Sequence, residues 1–93
     1  MTATELKMQP HPDDLPSPLL KAMWLAARDD WEGAHNIAQD IETSDGNRIH
    51  GYLHWVEGDL PNADYWYRRA GMNRPTTSLD KEWHNITNQL LES

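Results

Sequence analysis

Cysteine is absent from this 93-residue chain. That removes disulfide staples, thiolate metal sites and cysteine nucleophiles together, and it fits a reducing compartment. Phenylalanine is absent too, so aromatic burial falls to 5 Trp and 3 Tyr. Each of those rings carries an N–H or O–H that needs a partner once buried. No apolar run approaches the roughly 18 residues of a membrane span. The first residues, MTATELKMQPHPDD, lack the apolar stretch of a signal peptide. A cytoplasmic location is the simplest expectation. Positive charge is scarce: 8 Lys and Arg stand against 15 Asp and Glu, a net charge of −7. A nucleic acid partner would be repelled. There is no phosphate-cradling glycine loop, no dinucleotide fingerprint and no serine-nucleophile elbow. No residue is therefore assigned a catalytic role.

What the chain does contain is helical periodicity. Residues 1–16 carry Pro10, Pro12 and Pro16 and read as a flexible, partly extended N-terminal arm, with Leu6 and Met8 able to dock. Residues 17–93 read as one helical domain. Ser17 and Pro18 open a first helix, hydroxyl cap then proline, with Leu20, Met23, Trp24 and Ala27 at helical spacing. Asp30 caps a second helix from Trp31 to about Glu42. The TSDGN run, residues 43–47, is expected to be a turn, with a third helix from about Asn47 to Glu57. A fourth runs from about Pro61 to Gly71. Ser78 caps a last helix with the stripe Leu79, Trp83, Ile86, Leu90 and Leu91. Its polar residues Lys81, Glu82, Asn85, Asn88 and Gln89 are expected to face solvent. The expected fold class is all-α: about five helices, two stacked antiparallel hairpins, and a C-terminal capping helix.

The two hairpins echo each other. Asp30 aligns with Asp59, Trp31 with Leu60, Ala34 with Ala63 and Ile41 with Ala70, at an offset of 29 residues. In the second hairpin Gly51, Gly58, Ala63, Tyr67, Ala70 and Pro75 fall at the spacing of a tetratricopeptide repeat, which this stretch resembles. His50 and His54 depart from that pattern, standing where the repeat usually has Leu and Tyr. The resemblance implies close packing of Gly51 against Ala63 and Tyr67. It also implies a concave face formed by the first helix of each hairpin, carrying Leu19, Met23, Arg48, Tyr52 and Trp55 as partner-binding residues. The repeat family's peptide-carboxylate clamp of Lys and Asn is missing, since Arg48 and Tyr52 occupy those places.

Two functional readings follow. The first is a protein–protein interaction module without catalysis, binding a protein, a peptide or a second copy of itself as a homodimer. The second is a metal-binding or histidine-dependent enzyme centred on His50, His54 and Glu57. Their i, i+4, i+7 spacing shares one helical face, and two imidazoles one turn apart can chelate a divalent metal. No other cofactor is expected. His35 and His84 read as isolated surface residues. Arg68, Arg69 and Arg74 gather much of the scarce positive charge but have local acids such as Asp64 to pair with.

Overall fold

Two tight turns fold the chain back on itself, and they are built alike. A computed structural model describes residues 1–92. In it, α2 (Pro18–Ala27) turns into α3 (Trp31–Gln39), and α4 (Ser44–Val56) turns into α5 (Leu60–Arg69). Each turn places a residue at positive φ ahead of an aspartate: Asp29 (φ 61°) before Asp30, and Gly58 (φ 86°) before Asp59. The Asp30 N–H donates back to the Leu25 carbonyl at 3.0 Å, and the Asp59 N–H to the His54 carbonyl at 2.9 Å. This closes the outgoing helix. Each aspartate then accepts from the next helix, from the Gly33 N–H at 2.9 Å and the Asn62 N–H at 3.4 Å. The 29-residue echo is therefore a repeat of turn chemistry as well as of letters.

The remaining helices are α1 (Ala3–Lys7) and α6 (Leu79–Glu92), so the described residues hold six helices, one 3-10 turn at Pro12–Asp14 and no strand. The fold is all-α, and no helix among the described residues is long and apolar enough to cross a membrane. α2 packs on α3, α4 on α5, and α3 on α4, so the hairpins stack side by side. The capping helix α6 lies across α2 and α4, the first helices of both hairpins, and also touches α1.

The N-terminal arm differs from the frayed segment expected from its prolines. Thr2 and Glu5 form a reciprocal capping box that starts α1 before the first proline is reached. Ala3 and Leu6 are buried, and the Ala3 N–H donates to Asn88 Oδ1 of α6. The arm's return path is tied by side chains of α2. Trp24 Nε1 donates to the Gln9 carbonyl at 2.8 Å, and the Arg28 guanidinium donates to the carbonyls of Lys7 and Gln9.

The link between the hairpins lies about three residues earlier than expected, at residues 40–43. Thr43 caps α4, and Asp45 and Gly46, expected in the turn, lie inside its first turn. A side chain at Gly46 would collide with the Ile41 carbonyl, so the glycine serves a close approach and not a turn. α3 correspondingly stops at Gln39.

Indole N–H groups buried without a partner would be costly. Trp31 Nε1 donates to the Leu53 carbonyl at 2.6 Å and Trp83 Nε1 to the Met23 carbonyl at 2.9 Å. Those bonds pin α3 to α4, and α6 to α2.

Glu82 contradicts the expectation of a solvated residue: it is 0% exposed. It sits on the flank of the α6 stripe that turns toward α4 and α5. Arg48 donates to both of its oxygens, Nε to Oε2 at 3.1 Å and Nη2 to Oε1 at 3.0 Å. The Tyr67 hydroxyl adds a bond to Oε2 at 2.9 Å. A buried carboxylate is tolerable only with such pairing.

Removing one partner of this group strands a buried charge. Glu82→Ala is expected to cost about 3–5 kcal/mol, and Glu82→Gln less, as read from urea unfolding midpoints. At Gly51 an added Cβ would lie 2.8 Å from Tyr67 Cδ2 and 3.0 Å from the Ala63 carbonyl oxygen. Gly51→Ala should therefore destabilise the fold by about 1–3 kcal/mol, although alanine is the better helix former. A rise in melting temperature for that variant would contradict the close approach.

Candidate functional site

The face assigned to partner binding is not open. Met23 is 0% exposed and Tyr52 7%. Leu19 and Trp55 are half-buried against the core. The Arg48 side chain, 14% exposed, is held by Glu82 and by Gln89. The cause is α6, which fills the trough between α2 and α4 with Trp83, Ile86 and Glu82. The five residues are brought to one side of the hairpins, as the resemblance implied, but their own chain covers them. Burial and the nearby charges of Asp80 and Glu82 push the Tyr52 hydroxyl up to about 12. Burial and Glu82 push Tyr67 further in the same direction.

What stays open is a groove between the two hairpin turns and the start of α6. It has a volume of about 260 Å³ and is lined by Ala26, Trp31, Tyr52, Leu53, Val56 and Leu79, with Asp29 at its lip. Val56 is 44% exposed and Leu60, just beyond it, 40%. Sequence periodicity hid this groove, because its walls come from four separate elements. Two of the three arginines grouped in the sequence are engaged locally. Arg74 pairs with Asp64 at 2.7 Å, and Arg69 donates to the Tyr65 hydroxyl and covers the Trp66 ring.

The histidines form the second feature. His50 and His54 lie one turn apart on α4, and both are buried. His35 is not isolated. It projects from α3 onto the same point, with its Nε2 3.0 Å from Nε2 of His50. One ring nitrogen from each of His35, His50 and His54 lies within 4.8 Å of the other two. Glu57, expected as a ligand beside them, instead meets Nδ1 of His54 at 2.5 Å. Glu57 is also grouped with His54 and Asp59 at the α4–α5 turn. His84 sits on α6 beside Asp80 and takes no part.

Tryptophans wall the cluster. Trp66 of α5 stacks on His50 with ring centroids 3.9 Å apart, and Trp31 stacks on His35 at 4.7 Å. Trp31 also meets His54 edge-on. The sequence did contain a signal for His35. It lies one turn after Trp31 on α3, the helix that packs on α4.

Burial pushes His50 down to about 4, and the neighbouring His35 and His54 add to the effect. His35 is also lowered, first by burial and then by His54, with Glu57 opposing. The neutral imidazole is the favoured form. Comparison with protein-family models, with curated proteins and with solved structures finds no match to this chain.

The depressed His50 pKa sets a sign for stability against pH. Between about pH 4 and the ordinary value of 6.5, the unfolded chain binds a proton that the folded chain refuses. Stability from this group is full above pH 6.5 and is lost as pH falls toward 4, by an amount on the order of 2 kcal/mol. His50→Gln should flatten that part of a urea-midpoint profile recorded from pH 7.5 to 4.5. An unchanged slope would contradict the shift.

Proposed function

We propose that this chain is a small interaction module, in the manner of a tetratricopeptide-like hairpin pair, and that it holds its partner in the groove between the hairpin turns. The observation that carries this reading is the groove itself: an apolar trough of about 260 Å³, with Val56 left 44% exposed at its edge. Apolar surface left open beside well-packed helices marks contact sites more often than chance. The volume suits one bulky apolar side chain.

The partner is a protein or peptide segment with such an anchor between basic residues. Asp29 stands at the lip, and Asp80 acts on Tyr52 in the wall. The net charge of −7 favours a positive partner over the whole molecule. The repeated turns support the reading, since they hold both sides of the trough on rigid helix ends. The reading assigns no catalysis to the chain.

A short synthetic peptide with one leucine flanked by lysines serves as the probe, with a glutamate-flanked version as control. Titration followed by tryptophan emission and by dye polarisation is expected to show binding of the lysine peptide alone, weakening as salt rises. Val56→Glu should weaken it by roughly tenfold or more while the circular dichroism spectrum stays that of the parent. Equal binding of both peptides, or undiminished binding to the variant, rejects the groove. Sedimentation across a concentration series decides whether a second copy is the occupant instead.

A further inference from the structure

From the three converging imidazoles we infer a second site, distinct from the groove: His35, His50 and His54 bind one divalent transition-metal ion of the zinc class. Zinc–imidazole bonds are about 2.0–2.1 Å long, which puts two nitrogens on one tetrahedral ion about 3.3 Å apart. His35 Nε2 and His50 Nε2 stand at 3.0 Å before any ion is placed. One nitrogen from each of the three rings lies within 4.8 Å of the other two. Small ring rotations complete the set.

The rings are also held in the required sense. Trp66 and Trp31 stack on His50 and His35 and restrict their side-chain angles. Glu57 accepts from Nδ1 of His54, which leaves Nε2 as that ring's donor atom. A carboxylate behind a ligating histidine fixes the tautomer and raises the basicity of the free nitrogen. Glu57 is therefore a positioning residue and not a ligand.

Simple packing accounts for part of this arrangement. An N–H···N hydrogen bond between His35 and His50 satisfies one nitrogen on each ring. It does not account for His54, whose ring is brought to the same point with Nδ1 already engaged by Glu57. A third imidazole brought to the same point, with its far side fixed by a carboxylate, is what a metal centre requires. The rival grouping of His54, Glu57 and Asp59 is weaker. Both of its acids are exposed, and Asp59 already caps α5.

Three imidazole ligands select among metals. They suit zinc, nickel and copper, and they offer nothing to magnesium or calcium, which take oxygen ligands. Three protein ligands leave a fourth position for water or a partner's side chain. His35 belongs to the first hairpin and the other two to the second, so the ion clips the hairpins together. Binding to the folded state alone then raises stability by mass action.

The test uses the full chain, without a histidine tag and stripped with a chelator. Calorimetric titration with zinc is expected to show one ion per chain, with a dissociation constant in the micromolar range or tighter and a higher melting temperature. Magnesium should leave both readings unchanged. His35→Gln, at a half-exposed position that tolerates a polar replacement, should weaken zinc by tenfold or more. Glu57→Gln should weaken it by about 10–100-fold. His84→Gln should leave it unaltered. Cobalt provides a direct signature: a visible absorption of tetrahedral nitrogen coordination, lost in His54→Gln. No binding by the parent chain, equal affinity in His35→Gln, or an equal response to magnesium overturns the site and leaves the groove reading untouched.

Discussion

Tyr67 lies between a glycine and a carboxylate, and the architecture depends on both contacts. Its ring fills the space that Gly51 leaves open on α4, and its hydroxyl donates to Glu82 of α6. Glu82 is neutralised by the two-pronged bond from Arg48, which returns to α4 one turn before Gly51. Three helices are thus joined by one packed ring and one buried ion pair. Burying that charge costs energy, and the arrangement is stable only because every oxygen has a donor. The same requirement makes it selective. Sliding α6 by a turn would separate Glu82 from both partners.

This contact sets the rotation of α4 and hence the position of everything on it. With Gly51 turned to α5 and Arg48 to α6, the face bearing His50 and His54 turns to α3 and meets His35. Leu53 remains for the core, its carbonyl accepting the Trp31 indole. The histidine cluster is a consequence of the hairpin packing: Gly51, needed for close approach, sits beside His50. Trp31 links the two candidate sites, since it lines the groove and stacks on His35.

The closure of the inner face redirects the functional reading. A concave trough between α2 and α4 would have been the natural surface of a pair of helical hairpins. In this chain α6 occupies it, and α1 packs against α6 in turn. A solenoid of only two hairpins would otherwise expose much of its core, because each hairpin buries only one side against its neighbour. Using the inner face for stability leaves the turn ends and the α3–α4 junction as the two candidate sites. The acidic surface bears on the first of these, where long-range charge favours positive segments. The second depends on short-range geometry and is little affected by net charge.

How far the sequence could be read depends on the distance over which each feature is decided. Ser17, Asp30 and Ser78 cap the helices expected from them, and Asp59, which aligns with Asp30, caps α5 in the same way, because a cap involves residues three apart in one segment. The proximity of Gly51, Ala63 and Tyr67 was legible for a related reason: a short turn leaves a hairpin few registers. Glu82 was not legible. Its place on a polar-looking flank carries no sign that Arg48, 34 positions away, would meet it. His35 was missed likewise, since periodicity within α3 does not say which helix will lie against it. The sequence by itself determined that the chain is helical, where most helices begin, and that one hairpin packs closely, since these rest on contacts within a few residues. Only the tertiary structure decided that α6 covers the inner face, that a carboxylate is buried there, and that three histidines converge. Those outcomes depend on how helices rotate and cross, and that is set by the volumes of side chains far apart in the chain.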